Sequence, residues 1–135
     1  KNQIEQLKRE KNAVILAHNY VASELQDIAD VLGDSLQLSI EASKLGAPVI
    51  VFCGVSFMGE SAKILNPNKK VLMPDINADC AMAHMVDINK INKMRKEYND
   101  LAVVCYINST AKIKTYSDVC VTSANALKIV EKLLG

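Results

Sequence analysis

Several things are missing from this chain, and each absence narrows what it does. It carries almost no net charge: 16 basic residues face 15 acidic ones over 135 positions, a balance of +1. That balance argues against an electrostatic partner for nucleic acid or another polyanion. No apolar run approaches the roughly 20 residues of a membrane span, and no secretory signal pattern is present. The expectation is a cytoplasmic protein with no membrane and no nucleic-acid partner. The four cysteines, Cys53, Cys80, Cys105 and Cys120, have no CxxC spacing, so no disulfide framework is read from them. Three of them, Cys53, Cys105 and Cys120, lie in apolar runs, where a reduced cysteine serves as a small core residue.

What is present is half hydrophobic, enough for one ordinary domain core. The apolar residues fall in short, nearly continuous runs separated by helical stretches. Ala13–Ala17 leads into His18-Asn19-Tyr20, Val49–Phe52 into Cys53-Gly54, and Val71–Met73 into Pro74-Asp75. Val103–Cys105 leads into Tyr106-Ile107-Asn108-Ser109, and Val119–Val121 into Thr122-Ser123. Such runs read as strands of a parallel sheet covered on both faces. Ligands of open α/β sheets bind beyond the carboxyl ends of the strands. Those ends here carry His, Asn, Tyr, Ser, Cys and Asp, but no Lys or Arg. The set suits a small polar molecule, and the missing lysine disfavours an aldolase-like Schiff base.

The pattern predicts a helix over 1–11 and strands near 13–18, 49–53, 70–74, 102–107 and 119–122. Ser23-Glu24-Leu25-Gln26 reads as a capping box. Leu25, Ile28, Ala29 and Leu32 then form a helical stripe that Gly33 would end. Asp34 caps a helix running to about Leu45, and further helices cover about 57–65, 87–98, 110–116 and 126–133. A weak internal repeat is visible. Leu7–Asn12 before Ala13-Val14 resembles Met94–Asn99 before Ala102-Val103, with Asn19 and Asn108 at matching places. The period would be some 90 residues. The chain then holds one unit and about half of another: residues 1–83 as a first domain and 84–135 as a partial second. Lys1 and Gly135 are compatible with a piece of a longer protein.

Individual residues carry more than one reading. Cys80 follows a polar loop and precedes Ala81-Met82-Ala83-His84, a helix start that would favour the thiolate; it also reads as an ordinary loop cysteine. One cysteine alone holds no zinc or iron–sulfur site. His18 reads either as a hydrogen-bonded structural group or, beside Asn19 and Tyr20, as a proton-exchanging one. Ser35 after Asp34, and Ser123 with Asn125, suit either helix capping or an anion. His84 has the weaker case and could simply face solvent. Phe57 and Met58 read as core, and Lys69-Lys70 as a solvated turn.

Taken as strings, these stretches resemble the quinolinate synthase family. The matching segments are Ile15–Tyr20, Glu24–Asp30, Gly33–Leu38, Phe52–Val55 with Phe57-Met58, and Ala62–Pro67. They continue with Pro74-Asp75 through Cys80, Tyr106–Ser109 and Asp118–Ala126, in unbroken order over nearly the whole chain. The resemblance implies an α/β fold: a three-layer αβα domain with a short parallel sheet, followed by the incomplete start of a second similar domain. The family has three such domains in pseudo-threefold arrangement. It implies condensation of iminoaspartate with dihydroxyacetone phosphate to quinolinate, releasing phosphate and water, for NAD biosynthesis. It further implies a [4Fe-4S] cluster held by three cysteines, with Cys80 as the first and the other two beyond Gly135. By the same resemblance His18 and Ser35 bind substrate carboxylate or phosphate, and Tyr20 closes and shapes the site. Tyr106, Asn108 and Ser123 hold carboxylate and assist proton movements. His18, Tyr20 and Tyr106 are then the catalytic candidates.

As further partners the resemblance allows a homodimer and a link to an iminoaspartate-producing enzyme. Departures from the family pattern are Asn77-Ala78-Asp79 before the cysteine, Ala81, His84 and Gly59; none removes a chemical group the site needs. The reading from another class is a non-catalytic α/β module that binds phosphate, carboxylate or a partner.

Overall fold

The computed structural model describes residues 1–134; Gly135, the last position of the expected second domain, lies outside them. The chain divides into two compact units, Lys1–Asp79 and the residues from Cys80 onward.

The first unit opens with α1 (Asn2–Lys11), which ends at Asn12 in the left-handed region. It continues through β1 (Ala13–His18), α2 (Ser23–Gln26), β2 (Val31–Gly33), α3 (Ser35–Lys44), β3 (Val49–Cys53), α4 (Ser56–Leu65) and β4 (Lys70–Leu72). The strands form one parallel sheet in the order β2-β1-β3-β4. Side chains alternate between its faces. Ile15, Ala17 and Cys53 form one core cluster, with Ile4, Val21, Ile28 and Ala29 packed against it. Leu16, Ile50 and Phe52 point the other way and are wholly buried, as are Leu38 and Ala42 of α3 and Ala62 of α4. The result is the three-layer αβα arrangement expected from the runs. Phe57 and Met58 are core residues. Gly59 lets α4 lie close to Met73, because a Cβ there would stand 2.2 Å from the methionine sulfur.

Some expectations fail here. The helix from Ser23 to Leu32 is a single turn, and Val31-Leu32-Gly33 pairs with β1 as a strand. Asp30 is the reason. Its N–H donates to the Ile15 carbonyl at 2.8 Å, and its carboxylate accepts from the Ile15 N–H at 2.8 Å and the Lys8 ammonium at 2.7 Å. These bonds draw the chain beside β1, where Val31, Leu32 and Gly33 pair with Leu16, Ala17 and His18. The capping box is absent too: Ser23 bonds Glu24, and Gln26 donates to the Asn19 and Val21 carbonyls. Lys69 is no solvated turn residue either, since it donates to the Ala42 and Leu45 carbonyls at the end of α3.

The second unit contains a 3-10 turn (Ala81–His84), α5 (Ile88–Glu97), β5 (Val104–Tyr106), α6 (Ala111–Lys114), β6 (Val119–Val121) and α7 (Ala126–Leu134). β5 and β6 pair in parallel.

The repeat is stronger in the backbone than in the sequence. β1–β2 pairs Leu16 with Val31, Ala17 with Leu32 and His18 with Gly33. β5–β6 pairs Val104 with Val119, Cys105 with Cys120 and Tyr106 with Val121. Every position in the second set is the first plus 88 (16 + 88 = 104; 33 + 88 = 121). Asp118 repeats the role of Asp30: its N–H donates to the Val103 carbonyl at 2.9 Å, while its carboxylate accepts from the Val103 N–H at 2.7 Å and Arg95 at 2.8 Å. Asn19 and Ile107 likewise donate to the carbonyls of Gly33 and Val121. Asn19 therefore matches Ile107, not Asn108.

Candidate functional site

The offset of 88 sorts the candidates. His18 and Tyr106 end the equivalent strands β1 and β5. Tyr20 and Asn108 stand two residues beyond each strand, and Ser35 and Ser123 two residues beyond the partner strands β2 and β6. Each unit thus delivers three polar side chains at the carboxyl edge of its own parallel strand pair. That edge is where parallel sheets accept ligands.

In the first unit His18 is almost wholly buried. Its Nδ1 accepts the Tyr20 backbone N–H at 3.3 Å, so the ring proton of the neutral form sits on Nε2. The Tyr20 ring meets the imidazole edge-on, with centroids 4.7 Å apart and planes at 77°. Burial lowers the His18 pKa below its ordinary value, and the nearby Asp34 carboxylate opposes that only in part. At neutral pH His18 is therefore a neutral Nε2–H donor. Tyr20 is 92% exposed; its side chain is presented rather than packed. Asp34 caps α3 by accepting the Gln37 N–H at 2.8 Å. That leaves the half-buried Ser35 at the first helical position, where backbone N–H groups have no partner in the helix and suit an anion.

In the second unit Tyr106 is 47% exposed. Asn108 is half-buried, and its Oδ1 is a buried side-chain polar atom with no hydrogen-bond partner among the described residues. An unpaired buried acceptor costs roughly 1–3 kcal/mol, which a donor-bearing ligand would recover. Ser123 is exposed before α7. The adjacent turn is closed by Asn125, whose Oδ1 accepts the Thr122 N–H at 2.8 Å. Ser123 is thus left out of the capping that its residue type suggested.

Cys80 is half-buried. The loop before it is fixed by the Ser56 N–H donating to the Ala78 carbonyl at 2.8 Å and the Ser56 hydroxyl donating to Asp79 at 3.3 Å. The helix expected after Cys80 is a four-residue 3-10 turn, too short for the macrodipole that the sequence reading invoked. His84, in that turn, is exposed. None of the four cysteines is in a disulfide. Cys53 and Cys105 are buried as expected, but Cys120 is exposed. Sequence reasoning missed the Asp30 and Asp118 anchors that hold the strand pairs. Their signal is an acid just before each partner strand, with a basic residue on the helix that precedes the first strand of the pair.

The Asp118 anchor carries a test. Its hydrogen bonds from Val103 and Arg95 hold its carboxyl below the ordinary value of 3.8. Its contribution to folding is complete above that value and is lost as pH falls through the lower, folded one. In Asp118→Asn the acid unfolding of the second unit should flatten over this window, read by thermal midpoints against pH. An unchanged profile would assign no such role to Asp118.

These features define an α/β protein whose polar candidate residues lie at the carboxyl ends of parallel strands. The quinolinate synthetase A protein family model matches residues 2–135. Curated relatives agree. The chain is 61% identical over 133 residues to a quinolinate synthase of Fusobacterium nucleatum, covering 98% of this chain and 45% of that protein. It is 58% identical over 131 residues to the enzyme of Thermococcus onnurineus (97% and 43%) and 56% identical over 133 residues to that of Pyrococcus furiosus (98% and 44%). The chain belongs to the quinolinate synthetase A family, and it spans less than half the length of these relatives. No helix among the described residues is long and apolar enough to cross a membrane.

Proposed function

We propose that this chain is the amino-terminal part of a quinolinate synthase, which condenses iminoaspartate with dihydroxyacetone phosphate to quinolinate in NAD biosynthesis. The observation that carries the reading is the family match along the whole chain, with the candidate residues falling in pairs at equivalent strand ends. Two carboxylates, a phosphate leaving group and an imine-to-enamine shift call for neutral donors and a proton shuttle. His18 supplies an Nε2–H toward carboxylate or phosphate oxygen, and Ser35 adds a hydroxyl beside the first N–H groups of α3. Tyr20, exposed beside His18, shapes and covers the site. Tyr106 and Ser123 offer hydroxyls. Asn108, with its unpaired Oδ1, orients a substrate N–H or O–H while its amide donates to carboxylate.

The cofactor proposed is a [4Fe-4S] cluster. Among the described residues no three His, Cys, Asp or Glu side chains group to hold a metal, so this stretch does not complete the donor set. Cys80 is proposed as one ligand, with two further cysteines beyond Gly135. When bound, such a cluster with an open iron supplies a Lewis acid. The proposal extends to the cytoplasm as compartment, a homodimer, and a link to the enzyme producing iminoaspartate.

The test is the iron and sulfide content of the native-length protein purified without oxygen, beside Cys80→Ala. About four irons per chain, lost in the variant, is the expected result. No iron after reconstitution would overturn the cluster reading and leave a module that binds phosphate, carboxylate or a partner.

A further inference from the structure

Two cysteines outside the candidate site form a pair. Cys105 on β5 and Cys120 on β6 stand directly opposite in the parallel register. Opposed residues of adjacent strands have their Cα atoms about 4.8 Å apart and their side chains on one face. That separation is inside the roughly 4.4–6.8 Å range that a disulfide spans. The two thiols lie within hydrogen-bonding reach of each other, and Cys105 Sγ also approaches the Tyr106 carbonyl at 3.3 Å. One thiol is exposed and the other is buried behind it. The scaffold does not need sulfur here: the equivalent positions of the first unit, paired in the same register, are Ala17 and Leu32.

We propose that Cys105 and Cys120 form a reversible dithiol–disulfide site whose reaction partner is a low-molecular-weight disulfide. The exposed Cys120 thiolate attacks one sulfur of the disulfide and releases one thiolate, leaving a mixed disulfide on Cys120. Cys105, as its thiolate, then attacks the Cys120 sulfur and releases the second thiolate. One small disulfide is reduced to two thiols, and the protein pair loses two electrons and two protons. The bond pins β5 to β6 one residue before Tyr106 and three before Ser123. Such a disulfide is exposed on its Cys120 side, which places it among the readily reduced ones. The site depends neither on the cluster nor on the activity proposed above.

The experiment treats the folded native-length protein with glutathione disulfide, quenches by alkylation, digests with trypsin and maps linked peptides. The expected product joins residues 97–112 to residues 115–128 and disappears on reduction. It should form at least about tenfold faster in buffer than in concentrated urea, because the fold supplies the proximity. Three results would overturn the proposal: Cys120 stopping as the glutathione mixed disulfide with Cys105 still alkylated, a link running through Cys53 or Cys80, or equal rates with and without urea.

Discussion

Replacing His18 by alanine should lower kcat of the native-length enzyme by about 10²- to 10⁴-fold, the range for a positioned proton-exchanging group. The expectation rests on three features: near-complete burial, an Nδ1 committed to the Tyr20 N–H, and an Nε2–H left for the strand-end site. His18→Gln separates two roles. If His18 only donates, glutamine recovers part of kcat; if it also moves a proton, glutamine is as slow as alanine. The acid limb that His18 sets in the pH profile should fall below its ordinary 6.5, because burial disfavours the imidazolium. The same shift makes a stability statement. The neutral ring's contribution is complete above 6.5 and is lost as pH falls from there through the lowered, folded value. A kcat for His18→Ala within about threefold of the parent, with an unchanged melting curve, would remove His18 from the site.

Phe52→Ala should cost about 3–5 kcal/mol, the range for deleting a buried phenyl ring. Phe52 has no exposed surface and lies on β3, an inner strand of the four-stranded sheet, on the face with Leu16. Whole domains are stable by only about 5–15 kcal/mol, so the loss approaches the stability of the first unit. The denaturant midpoint should fall sharply at constant slope. Leu72→Ala, on the edge strand and 42% exposed, should cost under about 1 kcal/mol. Equal costs at the two positions would mean that the core is not organised around β3.

Much of this was legible in the residues because burial is written as hydrophobic runs. A strand buried on both faces must be apolar throughout, and Ala13–Ala17 and Val49–Phe52 are. Asp34 as a cap and the helices near 57–65 and 87–98 follow from local chemistry of the same kind. The second strand of each pair was harder to read. Val31-Leu32-Gly33 is three residues long and lies where a helical stripe also fits; only the bonds from Asp30 to Ile15, 15 positions away, decide it. Lys69 looked solvated because its carbonyl partners are more than 20 positions distant.

The candidate site divides along the same line. The residue types at the strand ends, and the family they resemble, came from the order of residues along the chain. Which of them correspond did not. Sequence matching set Asn19 against Asn108, whereas strand register pairs His18 with Tyr106, Tyr20 with Asn108 and Ser35 with Ser123. A one-residue slip is invisible to residue similarity but turns every side chain to the opposite face of a sheet. The sequence by itself determined the fold class, the strand ends and the chemistry offered there, because those depend on local pattern and composition. Only the tertiary structure decided the register of the repeat, the burial that lowers the His18 pKa and the pairing of Cys105 with Cys120, because each depends on contacts between segments distant in the chain.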